Sequence, residues 1–166
     1  MHLLATKPGN IHDGDEAIDL GQTPGDIVIL SAADTDILSL DQAQEHYVKM
    51  HKTAARSLRL ANIMRLAHPY SIDLYVESII AHAKIIIVRC LGGRSYWTYG
   101  IDEIHRHCKA QNKILLLLPG DNRFDEELHA LSLCEEREYH IIWQYFYHGG
   151  AQNFNHVITW CNHQSL

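Results

Sequence analysis

Apolar residues along this chain fall into short runs separated by longer amphipathic stretches. The runs occupy residues 3–5, 27–30, 58–61, 85–88 and 114–118. Most are continuous rather than alternating, as expected for strands covered on both faces of a parallel sheet. Between the runs the period changes to that of a helix. From residue 37 to about 52, apolar side chains return at Leu38, Ala43, Tyr47 and Met50, which predicts a helix. Ser71 stands where an N-cap belongs, and Leu74, Val76, Ile79 and Ile80 follow on a helical period. Residues 101–111 predict a third helix, facing inward with Ile101, Ile104 and Cys108, and residues 125–133 a fourth. Past residue 133 the strand signal weakens. Residues 135–147 and 154–161 read as helices separated by Gly149-Gly150, although Ile141-Ile142-Trp143 also fits a short strand. The alternation predicts a single layered α/β domain over 1–166, its mainly parallel sheet flanked by helices in the Rossmann or flavodoxin-like manner. Residues 6–25, with Pro8-Gly9, Pro24-Gly25, Asp13, Asp15, Glu16 and Asp19, form a long acidic connection between the first two strands.

Composition narrows the function classes. The 166 residues are 46% apolar, enough for a real core and too apolar for disorder. Asp and Glu number 20 against 14 Lys and Arg, a formal net charge of -6. With no basic run either, a nucleic-acid surface is not expected. No apolar run approaches the ~20 residues of a membrane helix. The opening MHLLATKPGN lacks the basic start and apolar core of a signal peptide. Cys90, Cys108, Cys134 and Cys161 lie far apart with no C-x-x-C pair, which suits free thiols in a reducing cytoplasm. The histidines number 13. Protonating all of them takes the formal charge from -6 to +7, so behaviour near pH 6 is expected to be acid-sensitive.

In a parallel sheet the carboxyl ends of the strands gather on one edge, and ligands bind there. That edge collects residues 31–35, Asn62, Arg89 with the following glycine turn, and residues 119–122. The most informative segment is KIIIVRCLGGRSYWTYGIDEI at 84–104. It is a strand, then Gly92-Gly93, then Arg94, Ser95 and the aromatics Tyr96, Trp97 and Tyr99, then a helix. The candidate binding surface is Asp34, Arg89, Gly92, Gly93, Arg94, Tyr96 and Trp97. Arginines pair with carboxylates, aromatics offer flat apolar faces, and the backbone of residues 92–95 can hold an anion. The same segment reads equally as a tight turn whose aromatics pack beneath a neighbouring element. Asp34 and Thr35 can orient a ligand, while Thr35 or Asp36 can instead cap the next helix. Asp121, in PGDN, reads as a turn residue. Neither G-x-x-x-x-G-K-[ST] nor G-x-G-x-x-G is present, so nothing supports ATP binding by this chain. His105 with Cys108, and His156 with Cys161 and His163, do not make a zinc spacing, and no metal site is expected. No nucleophile template is recognisable either, so no catalytic residue is assigned.

Four segments in order carry a family resemblance: MHLLATKPGN at 1–10, DLGQTPGDIVILSAADTD at 19–36, SLRLANIMRLAHPYSIDLYVES at 57–78 and LGGRSYWTYGIDEI at 91–104. Together they resemble the amino-terminal region of the large subunit of aerobic cobaltochelatase, the CobN type, which is similar to the H subunit of magnesium chelatase. The resemblance is strongest over residues 21–120. It implies a holoenzyme that inserts cobalt into the corrin ring of hydrogenobyrinic acid a,c-diamide during adenosylcobalamin synthesis. ATP would be hydrolysed by separate AAA+ ATPase subunits, and the large subunit would carry the tetrapyrrole. Family members are far longer, so the chain is expected to be an amino-terminal piece. Its implied partners are the remainder of the large subunit, the AAA+ subunits and the corrin substrate, with no nucleic acid and no membrane. Cobalt and ATP belong to the holoenzyme, and no cofactor is expected on this segment. The family's corrin and cobalt groups are expected mainly elsewhere, which leaves this segment structural or part of the substrate entrance. A stand-alone flavodoxin-like small-ligand binder is the alternative.

Overall fold

A computed structural model describes residues 16–166. The predicted strand at 3–5 and the start of the acidic connection lie outside the described residues. Four runs form strands: β1 at Ile27–Ser31, β2 at Leu58–Asn62, β3 at Ile85–Cys90 and β4 at Ile114–Pro119. All pair in parallel, in the order β2-β1-β3-β4, which follows the flavodoxin pattern. Parallel neighbours need long crossovers. These are supplied by α1 (Asp34–His51), α2 (Pro69–Ser78) and α3 (Thr98–Ala110). After β4 come α4 (Glu126–Leu131), α5 (Glu136–His148) and α6 (Ala151–His163). The layered α/β expectation is met.

The continuous apolar runs are explained by burial on both faces. Val28, Leu30, Ile86, Val88, Leu115 and Leu117 pack with Ile72 and Tyr75 of α2 and Ile101, Ile104 and Cys108 of α3. Their neighbours Ile27, Ile29, Ile85, Ile87, Leu116 and Leu118 pack with Leu40 of α1, Ile142 and Phe146 of α5 and Val157 and Ile158 of α6. Each such aliphatic side chain contributes roughly 1.5–3 kcal/mol on burial, so the sheet is the main source of stability. Each sheet edge is partly covered. Leu133 forms an antiparallel bridge to Leu115 beyond β4. Beyond β2, Gln22 Nε2 donates to the Leu60 carbonyl at 2.7 Å and Arg59 Nε to the Thr23 carbonyl at 2.6 Å. No helix of the described residues is long and apolar enough to cross a membrane.

Several predicted boundaries shift. Ser71 is not the cap of α2. Pro69 takes the first helical turn, where its fixed φ costs nothing, and His68 caps instead through Nδ1, 3.0 Å from the Tyr70 N–H. Ser71 is buried and its hydroxyl accepts from the Ile18 N–H at 2.7 Å. Neither Thr35 nor Asp36 caps α1: Ala33 is its N-cap, without a side-chain bond. The buried face of α1 is Asp36, Leu40 and Ala43, whereas Leu38 and Met50 lie off that stripe, 59% and 67% exposed. The fourth helix stops at Leu131 because Leu133 turns to pair with Leu115 through bonds of 3.1 and 2.7 Å. Ile141-Ile142-Trp143 is helical, with Ile142 and Trp143 on the buried face of α5.

Candidate functional site

Strand order reverses between β1 and β3, and that crevice is the usual ligand position in an open parallel sheet. Here the chain's own side chains fill it. Arg89, near the end of β3, donates through Nη1 to both Asp36 oxygens at 2.8 and 3.1 Å and through Nη2 to the Gly120 carbonyl at 2.9 Å. The Ser31 hydroxyl, at the end of β1, donates to Asp36 Oδ2 at 2.8 Å. The guanidinium also lies 5.9 Å from the Phe146 ring centroid. The side chains of Arg89 and Asp36 are only 13% and 8% exposed. Four elements, β1, α1, β3 and the end of β4, are tied by the bonds around this pair. Asp34 sits at the β2 side of the edge, where its Oδ1 accepts from Asn62 Nδ2 at 2.9 Å.

The glycine turn lies where the strand-end rule puts it. Gly92 and Gly93 have φ of 87° and 81°, the left-handed region that glycine enters without a Cβ clash. A Cβ on Gly92 would strike the Tyr96 ring, which lies over it and is otherwise 79% exposed. Arg94–Tyr96 make a single 3-10 turn before α3. That turn rotates Trp97 inward. Trp97 is buried, donates its indole N–H to the Leu66 carbonyl at 2.9 Å and packs on Gly100. Trp97 is therefore a core residue rather than part of the exposed edge. Arg94 binds Asp102 through Nε and Nη2 at 2.8 and 2.7 Å, with Glu127 3.7 Å away. These bonds hold the Asp102 carboxyl below its ordinary range. Asp125 stands beside Gly93. The turn is thus ringed by carboxylates, which oppose an incoming anion. Asp121 is a turn residue, its Oδ1 accepting from the Arg123 N–H at 2.9 Å.

The structure brings Arg89, Gly92, Gly93, Arg94 and Tyr96 to one edge, keeps Asp34 on its far side and buries Trp97. The segments that follow β2, β3 and β4 each expose large apolar groups: Met64, then Leu91 and Tyr96, then Phe124. His105 and Cys108 do not make a ligand pair. His105 Nδ1 lies 2.7 Å from the Leu131 carbonyl, while Cys108 is fully buried and burial pushes its thiol up to about 12. A different group does converge. His129, Glu136 and His140 bring their ligand atoms within 4.8 Å of one another. Glu136 and His140 are one helical turn apart, a spacing readable in the sequence, but His129 lies on another helix and no spacing rule reaches it.

No family model matches the sequence. The aerobic cobaltochelatase subunit CobN of a Sinorhizobium species is 43% identical over 153 residues, 92% of this chain. The subunit of the same name from Pseudomonas aeruginosa is 37% identical over the same share. The chain is homologous to the amino-terminal region of the cobaltochelatase large subunit. The solved catalytic subunit of cobaltochelatase from Mycobacterium tuberculosis matches 82% of the chain with a TM-score of 0.59 and 27% identity. The chain spans 12% of the length of these curated relatives and 10% of the solved subunit.

Proposed function

We propose that the segment is the amino-terminal α/β domain of a cobaltochelatase large subunit and that its strand-end edge docks on the remainder of that subunit, beside the substrate entrance. The observation that carries this reading is 43% identity across 92% of the chain to a cobaltochelatase subunit. In this reading the whole cytoplasmic enzyme inserts cobalt into hydrogenobyrinic acid a,c-diamide, and separate AAA+ subunits hydrolyse the ATP. The segment itself performs no chemical step. Docking is favoured over direct corrin contact because Nη1 and Nη2 of Arg89 and Nε and Nη2 of Arg94 are already bonded within the chain. Pairing Arg89 with a substrate carboxylate would require breaking its 2.8 Å bond to Asp36. The exposed Leu91 and Tyr96 side chains, in contrast, gain from being covered. A stand-alone flavodoxin-like binder would use the β1–β3 crevice, which the Arg89–Asp36 pair fills.

The test adds this chain in trans to a large subunit lacking the corresponding segment. Co-sedimentation is expected, and Leu91→Asp with Tyr96→Asp should abolish it while leaving the circular-dichroism spectrum intact. Absence of association would overturn docking. Saturable binding of the corrin diamide to this chain alone, lost in Arg94→Ala, would instead make the edge a substrate contact.

A further inference from the structure

We propose that His129, Glu136 and His140 form a binding site for a divalent transition-metal ion of the zinc and cobalt type. The inference rests on donor geometry alone and stands or falls independently of the docking role. Glu136 opens α5 and His140 follows one turn later, on the same face. His129 comes from the last turn of α4, and the return of the chain through Leu133 brings the two helices together. The imidazoles turn their Nε2 atoms toward the two oxygens of one carboxylate, at 3.0 Å for His129 and 3.1 Å for His140. Around a tetrahedral ion with bonds of about 2.0–2.1 Å, neighbouring ligand atoms lie about 3.3 Å apart. Each imidazole already stands near that distance from one carboxylate oxygen, and all three ligand atoms lie within 4.8 Å of one another, so small side-chain rotations close them around an ion.

The rings are also held in place. His129 meets Tyr139 edge-on, with centroids 4.8 Å apart, and lies 5.0 Å from Phe124. His140 stacks on the other histidine's neighbour Phe124 at 5.8 Å and leans on Trp143 at 6.2 Å. This aromatic frame is fixed to the sheet and its loop. The Tyr139 hydroxyl donates to the Leu117 carbonyl at 2.7 Å and the Trp143 indole N–H to the Asp121 carbonyl at 2.9 Å. The competing explanation is a surface histidine–glutamate network. Such a network is worth about 0–1 kcal/mol and requires neither convergence of two rings on one carboxylate nor a rigid frame. Two imidazoles with one carboxylate select zinc, cobalt, nickel or copper over magnesium or calcium. Beside two of the ligands, His129 and Glu136, lies a recess of about 200 Å³ also lined by Ser132, Cys134 and Tyr139, with room for water.

The experiment uses the whole 166-residue chain, stripped of metal with a chelator and titrated with Zn²⁺ against a chromophoric competitor. One saturable site is expected, undisturbed by Mg²⁺. His129→Gln, His140→Gln and Glu136→Gln should each weaken Zn²⁺ binding by about 10–100-fold or more, since even losing an outer-shell partner costs that much. His105→Gln, in the same chain, should change nothing. X-ray absorption of the Co²⁺-loaded wild type should show two imidazole ligands, a readout that does not depend on any variant folding. No saturable Zn²⁺ binding, equal affinity in the His129→Gln/His140→Gln double variant, or fewer than two imidazoles around cobalt would each overturn the proposal.

Discussion

Arg89 fills with its own charge the crevice that an open parallel sheet leaves at its switch point. Its value to the fold follows from its burial. Removing one member of a buried pair strands the other, at a cost of about 3–5 kcal/mol. Asp36→Ala is therefore expected to lower unfolding stability by that amount in urea titration, with much of it recovered in Asp36→Ala/Arg89→Met. A loss under about 1 kcal/mol would mean that solvent reaches the pair. Arg94 contrasts with it. Its side chain and that of Asp102 are 34% and 44% exposed, so Arg94→Ala should cost only about 0–1 kcal/mol. Two glycines separate in the same way. At Gly100 a Cβ would overlap the Trp97 indole, and that ring is pinned by its bond to Leu66. Alanine gains about 1 kcal/mol of helix propensity there but overpacks by about 1–3 kcal/mol. Gly100→Ala should thus lower the melting temperature and alter the near-ultraviolet signal of Trp97. At Gly92 the obstructing ring is the exposed Tyr96, which can swing away, so Gly92→Ala should cost only the left-handed backbone, about 1–2 kcal/mol, with the indole signal intact.

At the scale of elements, what could be read in the sequence was what burial imposes on contiguous residues. The runs at 27–30, 85–88 and 114–118 are strands because a sheet covered on both faces tolerates no polar position in its middle, whereas the edge strand over 58–61 is half-buried and accommodates Arg59. The glycine turn after β3 was legible because strand, glycine and helix follow in order. Partners distant in sequence were not. Asp36 and Arg89 lie 53 positions apart, and neither residue announces the other. The inward aim of Trp97 depends on the 3-10 turn at Arg94–Tyr96, which no periodicity encodes. Arg56 is a further case. It reads as an ordinary basic residue between α1 and β2, yet its Nη1 and Nη2 donate to the carbonyls of Cys161 and Gln164 at 2.7 and 2.6 Å. Its own N–H donates to Asn162 Oδ1 at 2.8 Å. A cation there satisfies carbonyls that the end of α6 leaves open and complements the helix dipole. Arg56→Ala should fray the last turn of α6. Amide hydrogen exchange should rise at residues 160–163 while β1 and β3 stay protected, and uniform protection would show the clamp to be dispensable.

For the whole molecule, the governing variable is pH. The formal charge is -6 with histidines neutral and would reach +7 with all 13 protonated. Charge near neutrality promotes association, so solubility is expected to pass through a minimum as the histidines titrate. Stability follows a narrower cause. His107 has a buried Nε2 without a hydrogen-bond partner among the described residues. Burial first, and then the charges of Lys113 and Arg106, hold its pKa below the ordinary histidine value. In the unfolded chain His107 takes up a proton near pH 6.5, while the folded protein resists doing so. Below that pH the unfolded state binds more protons, so stability drops as pH falls from about 6.5 and levels off once the folded-state value is passed. The lowered Asp102 and Glu136 carboxyls act in the same direction but only at more acid pH, and their exposure makes them minor. The urea midpoint of the wild-type chain should therefore decline between pH 7.5 and 5.5, while His107→Gln should show a visibly flatter profile over that interval. Parallel profiles for the two proteins would remove His107 as the cause and return the acid sensitivity to the summed charge of the other histidines.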